Sequence, residues 1–210
     1  MDSMINILFI CITVPMLFLL LIIRHRTSRT IVGYMMIGLM ICYGVSDLNG
    51  ILLSAFGYDY VYVTTALTPI SEEILKALPV LFYAFHISDN REKLEAVAFA
   101  EGIGFAILEN MVILLQNISG VSLWWALVRG FGSALMHGLC TGMVGLGMHY
   151  IHQKRKLFIS GTFAMLITAI IYHSIYNTLV QSDLRYFGFI LPLITFSALM
   201  AYHFRDQLRF

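Results

Sequence analysis

The chain has 210 residues, 59% hydrophobic and only 12% charged, and its mean hydropathy is +0.82. That composition excludes a water-soluble enzyme and a disordered chain, and 13 Lys and Arg against 12 Asp and Glu supply no basic surface for nucleic acid. Cys11, Cys42 and Cys140 lie in apolar runs without Cys-x-x-Cys or zinc-ligand spacing, so they read as small buried hydrophobes.

Apolar runs long enough to cross ~30 Å of hydrocarbon at ~1.5 Å per residue predict seven spans, at about 4–23, 31–56, 63–87, 96–118, 123–151, 157–180 and 186–204. The connections are too short for a second domain. The expected fold is an all-α, polytopic integral membrane protein, one domain over residues 1–210. The first span begins Met-Asp-Ser without a basic flank and ends at Arg24-His25-Arg26 without a small-residue cleavage pattern, so it is expected to be retained. The second carries Asp47 and Asn49. The third carries Ser71-Glu72-Glu73-Ile-Leu-Lys76, and the fourth Glu101, Glu109 and Asn110. The fifth opens with Trp124 and Trp125, suited to an interface belt or a packed pair, and holds Arg129 and His137. It also contains Gly138-x-x-x-Gly142, a close-packing pattern. The sixth holds His173 and Asn177.

Cationic residues set the orientation, because short loops rich in Lys and Arg stay cytoplasmic. Arg24, Arg26, Arg29, Arg91, Lys93, Lys154, Arg155, Lys156, Arg205 and Arg209 fall on one side, and Arg185 alone on the other. The N-terminus is expected outside and the C-terminus in the cytoplasm, in a multi-pass protein of the cell membrane with the lipid bilayer as its surroundings.

An ionisable side chain within a span costs at least ~2.5–3.5 kcal/mol on insertion scales, which makes each one a functional candidate. With alternate spans antiparallel, Glu72 and Glu109 each lie ~14 Å from the outer end, His137 ~21 Å and His173 ~11 Å, a layer ~10 Å thick. Glu101 and Arg129 fall outside it on opposite sides. Glu72 with Lys76, Phe105 with Glu109, and His173 with Asn177 are i, i+4 pairs on single faces. Lys76 is expected to pair with Glu72, which leaves Glu73 freer to act as a general base. The expected polar cavity among spans three to six can therefore activate water in two ways. In one, His137, His173 and Glu109 hold zinc and Glu73 deprotonates the water in the fourth position. In the other, the glutamates act without metal, and a histidine and Asn177 donate to the developing oxyanion. The residues leave both open. His-Glu-x-x-His is absent, Ser133 lacks the flanking glycines of a nucleophile elbow and reads as packing, and Asp47 has no intramembrane aspartate partner.

At these residues the sequence resembles the PrsW family of bacterial intramembrane proteases, relatives of the CAAX-protease and bacteriocin-processing superfamily. Glu72-Glu73-Ile-Leu-Lys76 resembles Glu-Glu-x-x-Lys, and Gly104-Phe105-Ala-Ile-Leu-Glu109-Asn110 resembles Gly-Phe-x-x-x-Glu-Asn. Arg129 with Met136-His137-Gly138-Leu139, and His173-Ser-Ile-Tyr-Asn177, are similar to the third and fourth elements. Together they span about half the chain. The resemblance implies a protease acting on a membrane-bound protein such as an anti-sigma factor, with Glu72, Glu73, Glu109, His137 and His173 as its catalytic residues. Prenyl-protein endopeptidase relatives carry Phe-x-x-x-His and Glu-Glu-x-x-x-Arg, whereas this chain has Glu109 and Lys76, and that departure speaks against a prenylated substrate.

Blander readings stand beside these. His137 or His173 taken alone reads as a satisfied core histidine, Phe105 as a wall, and Arg129 as a carboxylate-positioning or snorkelling residue. Glu101 and Asp47 read as structural or interfacial. The alternative function is a small transporter or channel, since buried carboxylates and histidines also make ion pathways.

Overall fold

The computed structural model describes residues 2–56 and 59–207. Among them the chain forms seven long helices and no strand: α1 Asp2–Ile22, α2 Arg26–Ala55, α3 Thr68–His86, α4 Arg91–Gln116, α5 Leu123–Met148, α6 Arg155–Val180 and α7 Arg185–Gln207. Each corresponds to one predicted span. Met4–Ile22, α2, α4, α5 and α6 are long and apolar enough to cross a membrane, and Arg185–Ala201 is a shorter apolar helix. Helix α3 falls outside that group because its 19 residues carry Glu72, Glu73 and Lys76. The chain is thus a polytopic all-α membrane protein. Arg209, one of the cationic residues expected on the cytoplasmic side, lies outside the described residues.

The helix starts are fixed locally by side chains that satisfy otherwise unpaired backbone donors. Asn90 accepts from the Lys93 N–H at 3.1 Å to open α4, and Ser122 accepts from the Trp125 N–H at 3.0 Å to open α5. Helix α3 is entered differently, through a helical turn at Tyr60–Tyr62 and a π-helical turn at Val63–Leu67.

Glycines allow α2, α4 and α5 to approach until their backbones touch. A Cβ on Gly38 would collide with the Glu101 carbonyl, one on Gly104 with the Met35 carbonyl, and one on Gly102 with the His137 carbonyl. Gly138 faces the Phe99 ring inside the bundle, so the Gly138-x-x-x-Gly142 pattern serves internal packing. Helix α1 stays at the periphery, held to α2 by Phe9 against Tyr43 and by the Tyr43 hydroxyl donating to Asn6 at 2.6 Å. Trp124 is 65% exposed, as an interface anchor requires.

Candidate active site

Helices α2 to α6 each send polar side chains to one level of the bundle. From α3, Glu72, Glu73 and Lys76 are all buried. Lys76 Nζ donates to Glu73 Oε1 at 2.6 Å and lies 3.0 Å from His137 Nδ1. The expected Lys76–Glu72 pairing is therefore corrected: the i, i+3 partner holds the lysine. Glu72 turns instead toward α2, where Asn49 Nδ2 donates to its Oε1 at 3.1 Å. Glu73, expected to be the freer carboxylate, is the more firmly held, since His173 Nδ1 also donates to its Oε1 at 2.8 Å.

From α4, Glu109 collects three donors on one oxygen. Arg129 Nη2 lies 3.3 Å, Ser133 Oγ 3.1 Å and His137 Nε2 3.2 Å from Glu109 Oε2. Arg129, Ser133 and His137 follow one another at four-residue steps and so share a face of α5. The Cα of Arg129 lies outside the expected layer, and its long side chain reaches in to Glu109. Ser133 is corrected from packing residue to hydrogen-bond donor, and the four-residue spacing was the signal for it. Phe105 walls the group as expected, with its ring 4.9 Å from that of His137 and 4.7 Å from Lys76 Nζ.

Asn177 does not offer its amide to the site. Thr68 N–H bonds back to Val63 across the π turn, and Pro69, the next residue in that register, has no N–H to give Thr64. The Thr64 carbonyl is left without a helical partner, and Asn177 Nδ2 donates to it at 2.9 Å. Glu101 also departs from expectation. It is fully buried rather than interfacial, and neither of its carboxylate oxygens has a partner.

Glu72 Oε2, Glu73 Oε2 and His173 Nε2 are buried at the centre without a partner, and the first and last of these face each other at 3.9 Å. One ligand atom each from Glu72, His137 and His173 lies within 4.8 Å of the others, so this buried group can hold a metal ion. Ligand atoms on a tetrahedral zinc lie ~3.4 Å apart, so the three need to close by about 1 Å. Glu72 and His173 present free atoms, whereas His137 Nε2 exchanges its bond with Glu109. The ring then carries its hydrogen on Nδ1, and Lys76 must stop donating there. A cavity of about 420 Å³ reaches Glu72, Glu109, Phe105 and Arg129, and its far end is lined by Asn117 and Gln181 beside the α4–α5 and α6–α7 connections. Water entering by that end meets Glu72 and Glu109; Glu73 does not line it.

No curated protein and no solved structure matches the chain. A family model described as PrsW family intramembrane metalloprotease matches residues 23–203, which include every residue of this site, and the chain accordingly belongs to that family of membrane-embedded peptide hydrolases rather than to transporters.

Proposed function

We propose that the chain cleaves a peptide bond of a membrane-bound protein in the outer half of the bilayer, activating one water between Glu109 and the Glu72–His137–His173 group. The observation that carries this is the unpartnered Glu72 Oε2 facing unpartnered His173 Nε2, beside Glu109 at the foot of a cavity. The substrate class proposed is a membrane-bound regulator such as an anti-sigma factor, on the strength of the family resemblance. The cationic connections Arg24–Arg29, Arg91–Lys93 and Lys154–Lys156 are assigned to the cytoplasmic side, so the cavity faces outward.

Glu72, His137 and His173 suit zinc, which when bound supplies Lewis-acid polarisation and a water that ionises near neutral pH. The rest falls to the chain's own groups. Arg129 and Ser133, the donors that stay with Glu109 once His137 turns to the metal, both fall on Oε2, so Oε1 is the atom left to take a proton from water and return it to the leaving amine. That gives Glu109 the base role and Glu72 the third ligand position. Glu73 acts one layer back: by accepting from His173 Nδ1 it fixes the tautomer that presents Nε2 to the centre. Lys76 balances the charge of Glu73, and Phe105 keeps bulk water from the pair.

The test is made on protein purified in detergent, measuring bound zinc and cleavage of single-span candidate substrates. Wild type is expected to bind one zinc and lose cleavage on chelation, with zinc restoring it. Glu72→Gln and His173→Ala lose the metal. Glu109→Gln keeps the metal but cleaves ~10²–10⁴-fold more slowly, the usual share of a general base. Full cleavage by Glu109→Gln would overturn the assignment.

A further inference from the structure

The cavity has a second boundary, toward the lipid. Thr64 and Asn177 line the cavity on its inner side. Their neighbours Thr65, Ser174 and Thr178, with Ile70, Ile171 and Ile175, line a hollow of about 430 Å³ on the outer surface of the bundle. The three isoleucines are 41–53% exposed on helices that run through the membrane. The wall between hollow and cavity is thus the π turn Val63–Leu67 laid against α6. It is closed by Asn177 Nδ2 on the Thr64 carbonyl at 2.9 Å and by Thr64 Oγ1 against Gln181 Oε1 at 3.1 Å.

We infer that this wall is a lateral gate, through which an unwound, extended stretch of a substrate's own membrane span passes from the bilayer to Glu72 and Glu109. The inference rests on the protease reading above. The closure is weak by construction. Pro69 removes the backbone donor that Thr64 would use in this register, so one side-chain amide stands in for it. π turns of this kind concentrate at functional positions. The occupant follows from what parting the wall uncovers: a carbonyl acceptor on Thr64 and an amide donor on Asn177, on opposite sides of the passage. A lipid tail uses neither, and an intact helix has its own N–H and C=O groups paired. An extended backbone has both groups unpaired and must satisfy them within the membrane, so its N–H takes Thr64 and its C=O takes Asn177.

The experiment links the two sides reversibly. Thr64→Cys and Gln181→Cys, in a full-length chain with Cys11→Ser and Cys42→Ser, are bridged by a short bis-thiosulfonate reagent and released with reductant. The probes are a single-span protein cleaved by wild type and a water-soluble peptide carrying the same bond. The locked enzyme is expected to cleave the membrane protein at least about tenfold more slowly and the peptide within about twofold of the unlocked rate, with reductant restoring the first. Equal cleavage of the membrane protein before and after locking overturns the gate, and so does equal loss of both activities. If the unlocked protein cleaves nothing, the protease reading itself fails instead. A second readout needs no cleavage. A photo-reactive phenylalanine at Ile175 is expected to capture a Leu/Ala membrane peptide bearing a Gly-Pro pair more strongly than an uninterrupted one. The same probe at Ile194, on the exposed face of α7, shows no such preference. Equal capture of the two peptides at Ile175, or lipid adducts only, also overturns it.

Discussion

Replacing Lys76 with Met keeps most of the buried stem and deletes one charge, which isolates what the ammonium does. In the wild type that ammonium is wholly buried, 2.6 Å from Glu73 Oε1, 3.0 Å from His137 Nδ1 and 4.7 Å from the centroid of Phe105. Removing one partner of a buried pair costs ~3–5 kcal/mol, because the other charge remains without compensation. At ~2–4 °C per kcal/mol for a chain of this size, the unfolding midpoint of Lys76→Met should fall by ~6–20 °C. Unfolding in detergent is treated as a rate process, so all variants are compared at one heating rate. The decisive quantity is the coupling. Glu73→Gln with Lys76→Met removes both charges and should recover a large part of the loss, whereas Glu72→Gln with Lys76→Met should behave nearly additively. A Lys76→Met midpoint within about 2 °C of wild type, or a stronger coupling to Glu72 than to Glu73, would refute the pairing and the supporting role built on it.

Asn49→Leu strips the donor from Glu72 Oε1, a hydrogen bond to a charged group worth ~1.5–3 kcal/mol, so zinc affinity should fall ~10–100-fold in a chelator competition. Unchanged affinity would show that Glu72 needs no such anchor. Gly102→Ala places a methyl against the His137 carbonyl and should lower the midpoint by the equivalent of ~1–3 kcal/mol, together with activity. Gly130→Ala, which meets nothing within 4 Å, should be close to neutral in the same melt.

Helix count and the level of the site were legible in the sequence because both follow from quantities read along the chain. Hydropathy marks a span, and the count of residues from its end gives a depth, which puts Glu72, Glu109, His137 and His173 in one layer from the sequence alone. What stayed hidden depends on rotation about each helix and on side-chain reach. Lys76 turns to Glu73 while Asn49 takes Glu72 and His173 takes Glu73, on helices whose rotation the sequence leaves unset. The Arg129 guanidinium enters the layer although its Cα lies outside it, because an arginine side chain reaches more than one helical turn from its Cα. Asn177 looked like an oxyanion donor because nothing in His173-Ser-Ile-Tyr-Asn177 reveals that Pro69, more than a hundred residues earlier, leaves a carbonyl needing it. Glu101 was legible as an anomaly only. Its burial on the face of α4 that meets α2 and α5 required the glycine contacts to be known.

Those contacts also explain how side chains from five helices can act on one water without loops to place them. Helix axes usually lie 8–10 Å apart, and a histidine and a glutamate that far apart meet only tip to tip, where small rotations separate them. Backbone contact at Gly38, Gly102 and Gly104 draws α2, α4 and α5 together, so Glu109 and His137 meet at 3.2 Å while His137 remains buried. The Gly102 contact falls on the carbonyl of His137 itself, so the register that lets the two helices touch also sets where the imidazole stands. Helix α3 makes no comparable glycine contact; it is held at the site by Lys76 and by Glu73 through His173. The element carrying the paired glutamates is thus held by side-chain packing of Ala77, Val80, Tyr83 and Ala84 and by ion pairs rather than by backbone contact, and it is also the element entered through the π turn. A gate beside α3 can therefore open without separating the helices that align Glu109 with His137.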